Sequence, residues 1–356
     1  MPQFSKPNLS PLASSPWHPM LTDLIAKLAD RQDLLEKEAE EGLLEIMEGK
    51  ATSAQIGAYL MGLRVKGETV DEVVGSAKAM RQKAVRLRVA SPMVVDTCGT
   101  GGDRANTFNI STTAAFVVAG AGLTVAKHGN RSVSSRSGSA DVLKALGVRI
   151  DLTPDRIGDC VNEVGLGFLF APLFHGAMKH CATPRQEMGI RTILNILGPL
   201  TNPAGASAQV IGVYEERLTE LLARVLIQLG TQHCFVVHGM DGLDEVTLTD
   251  RTRVSEGKAG VVTSYFIEPK DVGVGRVRPK ELVGGGPDEN AEITRSVLRG
   301  AKGAKRDVVC FNAALALVAG GKTKTVRDGF EAAGKAIDCG AAMDKLERLV
   351  EFTNRS

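Results

Sequence analysis

The chain has 356 residues, which is enough for two compact units of unequal size. A hydrophobic fraction of 43%, a charged fraction of 24% and a net charge of +2 are typical of a globular protein, and they point to neither a nucleic acid nor a membrane as a partner. No apolar run is long enough to span a bilayer. Residues 1–20 are rich in Ser and Pro and lack the pattern of a secretory signal, so we expect a loose arm there.

Residues 21–90 carry helical periodicity throughout, with apolar residues three and four positions apart. Thr52 is followed by Gln55 at the third position, and Thr69 is followed by Glu72 in the same way. Each pair predicts a capping box at the start of a helix. The segment therefore predicts a small all-helical domain.

After Pro92 the pattern changes to short apolar strands that alternate with helices. Strands are predicted at 93–97, 123–126, 168–170, 209–214 and 234–237, and helices at 111–120, 140–146, 216–229 and after the cap Thr153-Pro154. This alternation predicts an α/β domain with a mostly parallel sheet covered by helices. Residues of about 178–203 are helical in pattern only, and we expect this insertion to join the helical domain. The α/β domain then comprises residues 91–177 and 204–356.

The six cysteines are scattered, with no C-x-x-C pair and no zinc spacing. They are Cys98, Cys160, Cys181, Cys234, Cys310 and Cys339. The pattern predicts buried free thiols, and reduced thiols favour a cytoplasmic location.

Two glycine-containing polar segments follow predicted strands, where ligands of a parallel sheet bind. Residues 96–103 read D-T-C-G-T-G-G-D, and the helix that opens with N-I-S-T at 109–112 follows closely. Glycines let backbone N–H groups approach an anion, and a helix start favours phosphate. Residues 127–135, K-H-G-N-R-S-V-S-S, add two cations, an imidazole, an amide and three hydroxyls. A plain tight turn and a solvated surface loop are the alternatives, but the two segments together favour a polyphosphate site.

A third predicted loop carries Asp244 and Glu245 after the strand that ends at Val237. Two carboxylates in a loop can turn to one side and bind Mg2+, although a solvated surface pair is the commoner arrangement of such residues. Arg185 offers a planar fork for a carboxylate, and a structural salt bridge explains it equally well. For Arg191 the salt bridge is the better explanation.

These motifs together resemble the anthranilate phosphoribosyltransferase family. The resemblance rests on the motifs at 96–103, 109–112 and 127–131, on G-P-L-T-N-P at 198–203 and on G-L-D-E at 242–245, all in the order of the family. It implies a helical domain plus an α/β domain, a homodimer through the helical domain, Mg2+ as cofactor, and transfer of a phosphoribosyl group from phosphoribosyl pyrophosphate to anthranilate in tryptophan biosynthesis. A pyrimidine nucleoside phosphorylase-like enzyme and a non-catalytic nucleic-acid-binding relative are the alternatives.

The resemblance also implies roles for individual residues. Those implied to bind phosphoribosyl pyrophosphate are Gly99, Gly102, Asp103, Thr107, Asn109, Ile110, Ser111, Thr112, Lys127, His128, Gly129, Asn130, Arg131, Ser132, Val133, Ser134, Ser135 and Ser139. Those implied to bind anthranilate are Gly99, Asn130 and Arg185, with His128 nearby. The implied Mg2+ ligands are Ser111, Asp244 and Glu245.

Overall fold

The structure is a computed structural model that describes residues 19–103, 105–131 and 136–355. Within these ranges the strands are β1 (Val94–Asp96), β2 (Thr124–Gly129), β3 (Leu166–Phe170), β4 (Ala208–Gly212), β5 (His233–Gly239), β6 (Thr252–Lys258) and β7 (Val261–Ile267). The α-helices are α1 (Pro19–Ala29), α2 (Glu36–Met47), α3 (Ser53–Lys66), α4 (Val70–Lys83), α5 (Ile110–Gly120), α6 (Ser139–Ala145), α7 (Pro154–Val164), α8 (Ala171–Phe174), α9 (Lys179–Met188), α10 (Leu194–Leu197), α11 (Leu218–Gln228), α12 (Pro287–Leu298), α13 (Ala304–Ala319), α14 (Val326–Asp338) and α15 (Ala341–Asn354).

The seven strands form one sheet in the order β3-β2-β1-β4-β5-β6-β7. The first five in this order are parallel, and β6 and β7 extend the sheet as an antiparallel hairpin. The chain order changes direction between β1 and β4, and a crevice for ligands forms beyond the carboxyl ends of strands at such a switch point. The predicted fold class, a helical unit with an α/β unit built on a mostly parallel sheet, is confirmed.

Helices α1 to α4 precede the sheet and pack together with the segment that carries α9 and α10. Leu28, Leu60 and Val74 share one apolar cluster with Cys181 and Leu197 of that segment. The same cluster includes side chains of α11, β4 and β5, so the helical unit packs against one face of the sheet. The exact division into two domains remains a prediction.

The predicted helix starts are confirmed in the helical unit. The Thr52 hydroxyl accepts the N–H of Gln55 at 3.3 Å, and the Gln55 side chain accepts the N–H of Thr52 at 2.9 Å. Thr69 and Glu72 exchange the same two bonds at 3.3 and 2.9 Å. Thr153 likewise caps α7, with proline in its first turn.

Two sequence predictions are wrong in detail. Lys127, His128 and Gly129 were predicted in a loop, but β2 continues through all three because each pairs with a residue of β3. Cys339 is exposed, whereas the other five cysteines are buried. It lies at the carboxyl cap of α14, beyond the last apolar turn of that helix.

Helix α1 begins at Pro19, so the last two residues of the predicted arm are helical and residues 1–18 lie outside the described part of the chain. In the part that is described, no helix combines the length and the apolar character needed to cross a membrane. Ligands of a parallel sheet bind beyond the carboxyl ends of its strands, so we expect the site at the loops that follow β1, β2, β4 and β5.

Candidate active site

The glycine loop, which comprises residues 97–103 after β1, is held against the end of β4. Thr100 donates its backbone N–H to the carbonyl oxygen of Gly212 at 2.8 Å. Gly101 and Gly102 have φ angles of +68° and +82°, a region that L side chains rarely adopt. A Cβ on Gly99 would lie 3.3 Å from a carboxylate oxygen of Asp244, so the lack of a side chain keeps this approach open.

The acidic turn, which comprises residues 242–245 after β5, contacts this glycine loop and the start of α5. The Glu245 carboxylate accepts the backbone N–H of Ser111 at 3.1 Å. The backbone N–H of Asp244 donates to the Asp103 carboxylate at 3.5 Å. The structure thus brings together the three predicted metal ligands and adds Asp103, which the sequence had suggested only for the phosphoribosyl pyrophosphate site.

Burial and crowding of like charges perturb these carboxyl groups. Burial raises the pKa of Asp244 well above its usual value, and the charges of Asp103 and Glu245 raise it further. Burial also raises the pKa of Glu245 to about 7, although the nearby Lys127 charge acts in the opposite direction. Such groups are stabilised by a proton or by a bound cation.

The donors in this turn fit Mg2+. Three carboxylates and the Ser111 hydroxyl supply only oxygen, which is the ligand type that Mg2+ prefers. In the described ranges no three His, Cys, Asp or Glu side chains are close enough together to hold a metal ion. An Mg2+ ion bound here would need waters or substrate phosphates as its remaining ligands, and such ligands are common for this ion.

Lys127 and His128 face the base of the glycine loop from β2. The buried Lys127 ammonium donates to the Thr97 carbonyl oxygen at 2.6 Å and to its hydroxyl at 3.3 Å. The backbone N–H of His128 donates to the Asp96 carboxylate at 3.1 Å, and Asn202 donates to the same carboxylate at 2.7 Å. Burial raises the pKa of Asp96 to about 6, and these contacts favour its ionised form. Asp96 therefore fastens β2 and the 198–203 motif to β1.

The chain after β2 turns back onto the start of α6. The Ser139 hydroxyl donates to the carbonyl oxygen of Asn130 at 3.2 Å. The Arg131 guanidinium lies 3.7 Å from the Asp141 carboxylate and 6.0 Å from the centre of the Phe170 ring. The predicted phosphate-binding residues Ser132, Val133, Ser134 and Ser135 lie outside the described residues.

The start of α5 is connected to α12 and to the segment before α6. Asn109 is the N-cap residue of α5, and its side chain bonds to Ser137 and Asn290 instead of to the helix backbone. Thr107 pairs with Val283 in an isolated antiparallel bridge. The side chains of Ile110 and Thr112 are buried in the first turn of α5, and the Ile110 N–H donates to the carbonyl oxygen of Phe108 at 2.7 Å.

Arg185 lies half-buried on α9, and its guanidinium forms no hydrogen bond or ion pair within the described part of the chain. Burial lowers its pKa. Arg191 is hydrogen-bonded to the carbonyl oxygen of Gly102 and stacks on the Tyr214 ring, 4.0 Å from its centre. Neither arginine forms the salt bridge that its sequence context allowed, as far as the described residues extend. Arg191 instead links the helical insertion to the glycine loop.

His175 is a site candidate that the sequence reasoning missed. Its ring centre lies 5.1 Å from that of His128, and both its ring nitrogens are buried without a partner in the described structure. His128 Nδ1 donates a hydrogen bond to the carbonyl oxygen of Gly198 at 3.1 Å, and its Nε2 has no partner among the described residues. Burial lowers the pKa of His128 to about 3 and that of His175 to about 4. The available signal was the position of His175 shortly after β3, which neighbours β2.

Two family models match the chain, and between them they cover most of it. The helical bundle domain of the glycosyl transferase family matches residues 22–84. The a/b domain of the same family matches residues 91–343.

Similar proteins of known name indicate which enzyme family within the glycosyl transferases the chain resembles. The anthranilate phosphoribosyltransferase of Desulfosudis oleivorans is 56% identical over 335 residues, covering 94% of this chain and 99% of the relative. The crystal structure of the Thermus thermophilus enzyme of the same name has a TM-score of 0.89 and 42% identity, and it covers 94% of this chain and 100% of its own.

The Saccharomyces cerevisiae enzyme of the same name has been solved in complex with PRPP and Mg, with a TM-score of 0.86, 27% identity, and coverage of 95% of this chain and 99% of its own. The same yeast enzyme has been solved with 4-fluoroanthranilate. The two alternatives, a pyrimidine nucleoside phosphorylase-like enzyme and a nucleic-acid-binding relative, gain no support from these matches. The chain belongs to the anthranilate phosphoribosyltransferase family, and it is an enzyme of the pentosyltransferase class.

Proposed function

We propose that the protein transfers the phosphoribosyl group of phosphoribosyl pyrophosphate to the amine of anthranilate in tryptophan biosynthesis. The products are N-(5-phosphoribosyl)anthranilate and pyrophosphate. The observation that carries the proposal is the meeting of the glycine loop, the start of α5 and the acidic turn at one edge of the sheet. Family membership supports the choice of substrates.

Phosphoribosyl pyrophosphate would bind across the switch point of the sheet. Gly99, Gly102, Asp103 and Thr107 would lie along it, and residues 109–112 at the start of α5 would hold phosphate oxygens. Residues 127–135 and Ser139 would enclose it from the β2 side. The contacts between Asn109 and the segment before α6 support this arrangement because they join the two phosphate-binding segments.

Mg2+ would be held by Ser111, Asp244 and Glu245, with Asp103 beside them. The raised pKa values of Asp244 and Glu245 support this, since crowded carboxylates gain from a nearby cation. When bound, Mg2+ would neutralise the charge that develops on the departing pyrophosphate. The Mg in the yeast complex is consistent with the same requirement here.

Anthranilate would bind beside Gly99, Asn130 and Arg185. The Arg185 guanidinium, which has no protein partner in the described residues, suits the anthranilate carboxylate as a bidentate donor. His128 and His175 would border the same space as uncharged rings at neutral pH, because burial holds the pKa of each far below 7. Neutral rings would not compete with Arg185 for the carboxylate.

The reaction needs little acid–base assistance from the protein. The bond between the anomeric carbon and the pyrophosphate oxygen breaks, and the lone pair of the anthranilate nitrogen forms the new bond to that carbon. The aryl amine is nucleophilic when neutral, and its proton leaves after the bond has formed. The chain contributes mainly by holding both substrates in line and by arranging fixed dipoles around the leaving group.

The decisive assay mixes the purified protein with anthranilate, phosphoribosyl pyrophosphate and Mg2+, and follows the loss of anthranilate fluorescence. We expect a loss that needs all three components and stops when a chelator is added. A folded protein that leaves the fluorescence unchanged would contradict the proposal. Phosphorolysis of thymidine and uridine would then be measured next.

The metal assignment is tested by replacing Asp244 and Glu245 together with alanine. We expect turnover to be lost, whereas Glu281→Ala, which removes an exposed carboxylate paired with Arg278, should leave it unchanged. Turnover and Mg2+ dependence that persist in the double variant would show that the turn does not hold the metal.

A homodimer through the helical unit is also proposed. Met61 and Val65 lie four residues apart on α3 and are 43% and 60% exposed, so they form an apolar stripe that a second copy could cover. We expect the mass in solution to be that of a dimer, and Met61→Glu with Val65→Glu to shift it to a monomer. Val261→Glu, at an equally exposed apolar residue of β7, is the matched control. A monomeric wild-type protein would contradict the proposed homodimer.

We further propose that the protein acts in the cytoplasm. All six cysteines are free thiols, which fits a reducing compartment. Fractionation of cells that express the full chain would test this, and recovery in a secreted fraction would contradict it.

A further inference from the structure

The Asn109 side chain is fixed by groups from two separate parts of the chain. Its Oδ1 accepts a hydrogen bond from the Ser137 hydroxyl at 3.2 Å and another from Nδ2 of Asn290 at 3.0 Å. Its Nδ2 donates to the carbonyl oxygen of Ser137 at 3.1 Å. These bonds determine both the position of the amide and which of its ends is the oxygen.

Asn290 lies on α12 and is 1% exposed. Its own Oδ1 accepts the backbone N–H of Gly285 at 2.8 Å, so each end of its amide has a partner. Asn290 therefore joins the turn before α12 to the cap of α5 by side-chain hydrogen bonds alone.

The backbone before α12 reinforces this contact. Gly284 donates its N–H to the carbonyl oxygen of Asn106 at 3.0 Å, and Phe108 donates to that of Leu282 at 3.4 Å. A Cβ on Gly284 would lie 2.6 Å from the backbone nitrogen of Phe108, so only glycine allows the two segments to come this close. Residues 282–290 thus pack directly behind the residues that lead into α5.

We propose that Asn290 is a positioning residue for the binding of phosphoribosyl pyrophosphate. Through the Asn109 amide it holds the start of α5 and the Ser137 segment in one fixed relation, so that both present their phosphate-binding groups to the same ligand. Asn290 acts through Asn109 and does not contact the substrate itself, because Asn109 and Gly285 already occupy its amide. This inference rests on the proposed function, since the ligand in question is the substrate proposed there.

The sharpest test is Asn290→Asp, which preserves shape and replaces a donor with an acceptor opposite Oδ1 of Asn109. Rotation of the Asn109 amide by half a turn cannot relieve the conflict, because its oxygen would then face the carbonyl oxygen of Ser137. We expect the affinity for phosphoribosyl pyrophosphate with Mg2+, measured by titration calorimetry, to fall on the order of tenfold. The KM for anthranilate should change by less than about twofold, since the inference places Asn290 behind the phosphate-binding segments only.

The matched control is Thr294→Val, one turn further along α12. The Thr294 hydroxyl is fully buried and lies 2.9 Å from the Thr113 hydroxyl of α5, so the variant removes a hydrogen bond between the same two helices. It leaves the Asn109 side chain untouched. We expect a lower melting temperature with unchanged affinity for phosphoribosyl pyrophosphate.

A folded Asn290→Asp variant that binds phosphoribosyl pyrophosphate as the wild type does would overturn the inference alone. An equal loss of affinity in Thr294→Val would also overturn it, because general loosening of α12 would then explain both. If Asn290→Asp does not fold, the affinity of Asn290→Ser is measured instead. The serine hydroxyl is too short to reach Asn109 and introduces no repulsion. We expect about threefold weaker binding for this variant, and unchanged binding would overturn the inference. Failure of the wild-type protein to bind this ligand would instead overturn the proposed function.

Discussion

Gly212, the last residue of β4, carries no functional group but determines where the acidic turn lies. A Cβ at this position would overlap the carbonyl oxygen of Asp244, and the Gly212 carbonyl oxygen also holds the N–H of Thr100 at 2.8 Å. The glycine loop and the acidic turn therefore both contact the backbone of Gly212, where there is no room for a side chain.

Gly212→Ala should displace Asp244 and lower turnover at least about a hundredfold, since misplacement of a catalytic group by about 1 Å has effects of this size. We also expect a loss of about 1–3 kcal/mol of stability from overpacking. Gly275→Ala is the control, because nothing lies within 4 Å of its added Cβ. Steady-state kinetics and urea unfolding measure both effects. Full activity in Gly212→Ala would show that the turn tolerates movement.

His175 makes stability depend on pH. Burial lowers the pKa of His175 to about 4 from 6.5, so the unfolded chain binds a proton at a higher pH than the folded chain does. The contribution of His175 to stability is therefore complete above pH 6.5 and is lost as the pH falls towards 4, by up to ~3 kcal/mol.

We expect His175→Phe, which retains an aromatic ring, to make the unfolding free energy vary less steeply between pH 6.5 and 4. Urea unfolding at several pH values measures this slope. His128 remains in the variant, and because its pKa is about 3 it should preserve part of the acid sensitivity. A slope equal to that of the wild type would show that the His175 ring reaches solvent.

At the scale of the elements, Glu72 connects three parts of the helical unit. Its carboxylate accepts the N–H of Leu34 and of Thr69, each at 2.9 Å, and lies 3.0 Å from the Lys66 ammonium. The side chain of Glu72 is fully buried and that of Lys66 is 5% exposed. The start of α4, the end of α3 and the chain before α2 thus depend on one carboxylate.

Glu72→Ala should lower the free energy of unfolding by about 2–4 kcal/mol, because it leaves two backbone N–H donors without an acceptor. Lys66 loses one of its two carboxylate partners and keeps Asp33 at 2.8 Å. Glu48→Ala is a suitable comparison, since Glu48 pairs with Lys50 and Lys83 at the surface, where solvent screens the pair, and its loss should cost far less stability. Urea denaturation of both variants measures the difference. Equal losses would mean that the buried carboxylate has no special role.

The elements that could be predicted from the sequence are those determined by contacts between residues close together in the chain. The caps at Thr52 and Thr69 followed from residues three positions apart. The true end of β2 at Gly129 depends on pairing with β3, a strand distant in the sequence, so local pattern stopped the strand too early. The hairpin of β6 and β7 was not predicted at all.

The same distinction applies to the candidate site. The approach of Glu245 to Ser111 could be expected from strand ends and from the family resemblance. The addition of Asp103 to the acidic turn, the pairing of His175 with His128 and the bond from Asn290 to the α5 cap arise from tertiary contacts between distant segments. No spacing in the sequence records such contacts.

At the scale of the whole molecule, the site combines loops after β1 and β5 with the start of α5, which are far apart in the chain. A ligand that bridges these loops binds only the folded chain, so it must stabilise the fold by mass action. At a hundredfold excess over its dissociation constant, phosphoribosyl pyrophosphate with Mg2+ should add ~2.7 kcal/mol. For a chain of this length that corresponds to a rise in melting temperature of about 4 °C.

The isosteric pair Asp244→Asn and Glu245→Gln should abolish most of this rise, because the metal would lose its anionic ligands. The same variant should be at least as stable as the wild type without ligand, since it removes carboxylates that burial and mutual repulsion disfavour. Scanning calorimetry with and without ligand, and with ligand plus chelator, separates the two effects. A full ligand-induced rise in the variant would place the metal-bound substrate away from the acidic turn. A variant that is less stable without ligand would show that the carboxylates support the fold as well as the site.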